Sequence, residues 1–105
     1  MDTNTNMNSN IFTKDDLYRI HLEEINKKRN KLINYIITNT KEIAIFNAKN
    51  GGNKIVKTYC NELHDISVIE EVLSELKNSF PDSEVKVFTN DSASFKNIIV
   101  SVDWS

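Results

Sequence analysis

A stretch that reads as helix from Thr13 to about Asn50 constrains this chain most. Leu17, Ile20, Ile25, Leu32, Ile36, Ile43 and Phe46 recur roughly every three to four residues, the spacing of one helix face. Thr13 fits an N-cap, and Asp16 sits at the third helical position, where an acid answers the cap and meets the helix dipole. Phe12 before the cap and Leu17 at the fourth helical position fit a hydrophobic staple. Gly51 and Gly52 supply the stop, because Gly accepts the left-handed conformation that closes helices. Unbroken, such a helix has about 37 residues and spans about 55 Å at about 1.5 Å per residue. A compact domain of about 100 residues has a radius of gyration of only about 13 Å. The helix therefore protrudes or breaks.

Two breaks suggest themselves. Residues 26–31 (N-K-K-R-N-K) offer no apolar side chain for nearly two turns. Thr38, Asn39 and Thr40 are poor helix formers, and Asn39 fits a new cap with Glu42 at its third position. A third arrangement is a β-hairpin over residues 42–60 across Asn50-Gly51-Gly52-Asn53. Helix is preferred for residues 42–49, because Ile43, Ala44, Phe46, Asn47 and Ala48 do not alternate cleanly.

The remainder reads as β-α-β-β. Lys54–Cys60 is β-branched and aromatic, a first strand. Ser67 with Glu70 forms a capping box, and Ile69, Val72, Leu73, Leu76 and Phe80 draw one apolar stripe ended by Pro81. Residues 84–89 form a second strand, and residues 90–94 turn into a third. In residues 95–105 (F-K-N-I-I-V-S-V-D-W-S), Ile98, Val100, Val102 and Trp104 alternate with Ile99, Ser101 and Asp103 to the end of the sequence. The longest apolar strand takes the sheet centre. The expected fold is thus α+β: a long N-terminal helix, then a three-stranded mixed sheet of order 1-3-2, with both helices on one face. Trp104, Phe80 and Phe46 are the expected structural anchors. Residues 1–12 are expected as a disordered polar tail and residues 13–105 as a single domain.

Composition narrows the function classes. Hydrophobic residues make up 39% and charged residues 27%, as in an ordinary globular protein. No apolar run approaches the roughly 20 residues of a membrane span, and the polar start lacks a signal peptide's basic and apolar regions. Up to Lys57 there are ten Lys and Arg against six Asp and Glu; from Thr58 there are three against nine. The halves can attract each other, within one fold or between copies. The formal net charge of −2 lacks the basic excess typical of a nucleic-acid protein. Fifteen Asn, thirteen Ile and eleven Lys against two Arg and no Gln indicate A/T-rich codons.

Motifs for chemistry are sparse. Cys60, His64 and Asp65 lie close in sequence, but a zinc site needs paired Cys or His motifs, and Cys60 is expected simply to be buried after its strand. A Cys60–His64 nucleophilic pair has no orienting motif. His21 with Glu24 is a single copy of a pattern that di-iron sites need several times, so His21 reads as a solvated or core-edge side chain. Gly51-Gly52 follows a helix and precedes a strand, the reverse of a phosphate-cradling loop. Asp103 lies on the strand face opposite the apolar row, with no partner acid to place beside it. Lys27, Lys28, Arg29 and Lys31 form a basic run suited to phosphate, although no aromatic interleaves with it in sequence and the preceding acids suit a solvated face. No catalytic residue, metal site or cofactor is expected, and the chain reads as a non-enzyme.

Three segments carry a resemblance: A-I-F-N-A-K-N-G-G-N-K-I-V-K-T-Y (residues 44–59), S-E-L-K-N-S-F-P-D-S-E-V (74–85) and I-I-V-S-V-D-W-S (98–105). Together they resemble small uncharacterised proteins encoded by giant nucleocytoplasmic DNA viruses such as mimivirus relatives, over roughly residue 30 to the end. The class offers no catalytic residues to carry over. It implies a viral origin, a virion or host-cytoplasmic location, and a structural or host-interaction role. The expected function is a non-enzymatic protein-interaction or structural module, binding a protein partner or a second copy through the long helix. The alternative is a nucleic-acid-associated factor using residues 27–31.

Overall fold

The computed structural model describes residues 11–61, 63, 65–89 and 97–105. Its elements are α1 (Lys14–Lys49), β1 (Lys54–Cys60), α2 (Ile66–Ser79), β2 (Glu84–Phe88) and β3 (Asn97–Asp103). The expected turn at 90–94 and most of the expected N-terminal tail lie outside the described residues.

α1 is one unbroken helix of 36 residues. Thr13 and Asp16 form the expected reciprocal capping box, with both bonds at 3.1 Å. Phe12 and Leu17 each remain about half exposed, so the staple buries neither. At the other end Gly51 takes a φ of +86°, which a side chain would strain, and its N–H donates to the Ala48 carbonyl at 3.1 Å. Neither break occurs, and each has a tertiary reason. Asn39 and Thr40 meet the buried Tyr59 hydroxyl at 2.8 and 2.9 Å. Within 26–31, Arg29 reaches across to α2. The weak helix formers are held by partners from elsewhere in the chain.

The sheet order is β1-β3-β2, with β3 central. The strands joined through α2 are parallel in direction, but β3 lies between them, so each hydrogen-bonded pair is antiparallel rather than mixed. Ile55 and Tyr59 of β1, Val85 of β2, and Ile98, Val100 and Val102 of β3 are buried on one face. Ile33, Ile36 and Ala44 of α1 and Val68, Val72 and Leu76 of α2 complete the same cluster. Both helices therefore cover one sheet face. They run in the same direction: Arg29 meets Ser67 at the start of α2, while Ala44 and Ala48 share a groove with Phe80 beyond its end.

Three expectations need correction. α2 is capped not by Ser67 but by Asp65, whose carboxylate accepts the Ser67 N–H at 2.9 Å; the Ser67 hydroxyl instead serves Arg29. Phe46 anchors nothing and is 69% exposed, because the buried line of α1 runs through Ile33, Ile36, Thr40 and Ala44, on a different side of the helix. Cys60 is exposed, because it lies on the sheet face away from the helices. Trp104 and Phe80 pack against the core. The Trp104 backbone N–H donates to the Asn53 carbonyl at 2.9 Å, and its indole N–H to the Gly52 carbonyl at 3.2 Å. The end of β3 is thereby tied to the turn that follows α1.

Candidate functional site

The first fifteen residues of α1, 14–28, form an arm beyond the domain. All but the half-buried Asp16 are exposed. The buried core begins at Ile33. The arm is about 22 Å long at about 1.5 Å per residue. It accounts for the elongation: the molecule extends 62 × 30 × 19 Å, with a radius of gyration of 18.4 Å.

The arm is not a polar spacer. Leu17, Tyr18, Ile20, Leu22 and Ile25, five large apolar side chains within nine residues, are 37–64% exposed. At about 100° per residue, Tyr18, Leu22 and Ile25 continue the line of Arg29, Ile33, Ile36, Thr40 and Ala44. That line is the inner face of α1. Past Arg29 it emerges from under α2, and none of the described residues covers it. A helix of about fifteen residues without tertiary packing is marginal in water.

Charge follows the same geometry. Arg19 pairs with Asp16 at 2.7 Å on the exposed arm. Arg29, at the arm's root, donates to Glu71 at 3.0 Å and to the Ser67 hydroxyl at 3.1 Å, and stands 3.8 Å from Asp65. The attraction between a basic first half and an acidic second half is therefore met within one chain at this point. The Ser67 hydroxyl and backbone N–H, then the Arg29 guanidinium, hold the Asp65 carboxyl below its ordinary value of 3.8.

The four basic candidates thus divide. Arg29 is engaged with α2, while Lys27, Lys28 and Lys31 are exposed. Lys28 and Lys31 line a groove of about 500 Å³ with Leu32, Tyr35 and Leu63. Tyr35 is 58% exposed and meets Tyr59 edge-on, with centroids 5.8 Å apart. This aromatic was missed because it follows the basic run by one helical turn instead of interrupting it.

The remaining candidates do not converge. His21 and Glu24 stand exposed on the arm. Cys60 and Asp65 are described and His64 lies outside the described residues. Among the described residues no group of three or more His, Cys, Asp or Glu side chains is placed to hold a metal ion. Asp103 accepts from the Ser105 backbone N–H at 3.0 Å and its hydroxyl at 2.7 Å. Those bonds lower its carboxyl, with smaller help from Lys54 and Lys86. On the outer sheet face, Thr58, Ile99 and Phe88 stand directly opposite one another across the strands, with Val56 and Phe88 exposed. No described helix is long and apolar enough to cross a membrane. No family model matches the chain, and no curated protein or solved structure is similar to it.

Proposed function

We propose that the chain is a non-enzymatic protein-interaction module whose contact element is the arm of α1. The carrying observation is that Tyr18, Leu22 and Ile25 extend the inner face of α1 past the end of its own domain and stand in solvent. Monomers rarely leave a contiguous apolar stripe uncovered unless it is a contact surface. An amphipathic helix laid against another apolar helix face is a common recognition mode. Amide exchange on the dilute monomer tests this. The amides of residues 17–28 are expected to exchange far faster than those of 33–44, and to become protected on assembly. Equal protection of both segments in the monomer means that the chain covers its own arm, and the reading fails.

The resemblance to giant-virus proteins supplies the setting, a virion or the infected host's cytoplasm. Mass spectrometry of purified particles tests it, and absence from the particle removes the virion role. A second reading rests on the groove beside Tyr35: Lys28 and Lys31 offer charge and Tyr35 a stacking surface for single-stranded nucleic acid. It requires salt-dependent oligonucleotide binding that Lys27→Ala/Lys28→Ala/Lys31→Ala abolishes; binding unchanged by that variant removes the site.

A further inference from the structure

We infer that the occupant of the arm is an acidic amphipathic helix of another protein, its apolar row laid on Tyr18, Leu22 and Ile25 and its carboxylates beside Lys14 and Lys28. This rests on the interaction reading above and adds the chemistry of the partner.

The border of the stripe selects that chemistry. The arm has as many Asp and Glu as Lys and Arg, but they are not mixed around its circumference. At about 100° per residue, Lys14, His21 and Lys28 lie within about 90° of the stripe's centre, in one row along its edge. On the other edge Asp15 is the only acid of the arm that close to it. Asp16, Glu23 and Glu24 all lie more than about 120° away, toward the outer side, and so does Lys27. A partner on the stripe therefore meets a basic edge, although the arm as a whole is balanced. A second copy's arm brings the same basic edge and is repelled. Carboxylates are favoured there, and complementary charge at an interface selects the partner.

The next stretch of the same face shows what it accepts. There α1 meets α2, whose apolar row Val68, Val72 and Leu76 is buried and whose Glu71 receives Arg29 at 3.0 Å. α2 carries Glu70, Glu71 and Glu75 against a single Lys77, so it is itself an acidic amphipathic helix. The uncovered stripe offers the same combination one step further along α1. It also leads into a second feature. Leu32, two turns on from Ile25, lines the groove of about 500 Å³ with Lys28, Lys31, Tyr35 and Leu63. An acidic helix finds an apolar floor there between two ammonium groups. A nucleic acid would meet the two ammonium groups and Tyr35 but leave the stripe in water.

The test is an NMR titration of the full chain with two synthetic peptides of about fifteen residues, the length that spans the arm. Both carry Leu at i, i+3, i+4 and i+7; one has Glu at the flanking positions and its twin has Lys. The acidic peptide is expected to shift the amides of residues 14–35 and to bind about tenfold more tightly than its twin. Leu22→Asp is expected to raise its Kd by about tenfold or more. Lys28→Glu is expected to weaken it by about fivefold at low salt, whereas Lys27→Glu, the same charge change on the outer side, leaves it within about twofold. Equal affinity for the two peptides, or equal losses from Lys27→Glu and Lys28→Glu, overturns the acidic partner and leaves the arm as a contact element. Failure of the acidic peptide to bind at millimolar concentration does the same. So does tighter binding of an oligothymidylate at the same amides, which gives the surface to nucleic acid, or dimerisation of the wild type through the arm. Arm amides already protected in the dilute monomer overturn the interaction reading too.

Discussion

Tyr59 shows how one side chain settles a question that its neighbours in sequence leave open. It is 5% exposed, and its hydroxyl is placed between Thr40 and Asn39 of α1. Thr40 is fully buried, so loss of its partner leaves a polar group dry. Burial also raises the Tyr59 hydroxyl above its ordinary value of 10.0, favouring the neutral form that bonds both residues. Tyr59→Phe keeps the ring and removes only the oxygen. It is expected to cost about 1–3 kcal/mol in urea melts. An unchanged melt means that this network does not hold α1 to β1. Asn39 and Thr40 read locally as a helix break because their partner lies about twenty residues downstream. Phe46 misleads for a related reason. A large side chain at helical spacing suggests core, yet the buried line passes through the small Ala44.

At the scale of elements, Arg29 joins the start of α2 to the root of the arm. Its salt bridges to Asp65 and Glu71 are partly exposed, and such pairs are individually weak. Their value is positional. The Asp65 carboxyl is held below 3.8, so its contribution is present above that pH. It is lost as pH falls through the lowered folded value. Asn is as good a cap as Asp, so Asp65→Asn keeps the start of α2 and removes only the titrating charge. The stability advantage of wild type over Asp65→Asn is expected to be present at pH 6 and to vanish as pH falls through the lowered folded value. A difference independent of pH assigns the effect to the cap alone. The sheet was far more legible than this junction. β3 alternates because one of its faces is wholly buried: Ile98, Val100 and Val102 are covered, and the residues between them are half-buried. Arg29 gave no comparable local signal, since Glu71 lies 42 residues away; only the opposite charge of the two halves hinted at it.

For the molecule as a whole, the question is which parts depend on which. Trp104 closes the end of β3 onto the turn after α1 through two hydrogen bonds and its packing on the core. Deleting residues 103–105 removes that closure and is expected to cost at least about 2 kcal/mol, somewhat below the loss for a fully buried Trp. A melting temperature unchanged by the deletion would mean that Trp104 holds nothing. The arm should behave oppositely. The buried cluster starts at Ile33 and the contact with α2 at Arg29, so a chain beginning at Asn26 retains both. It is expected to unfold with the urea slope and midpoint of the full chain in dilute solution. A large loss of stability in the shortened chain would show that the arm folds onto the domain in solution, and would place its apolar stripe inside the fold.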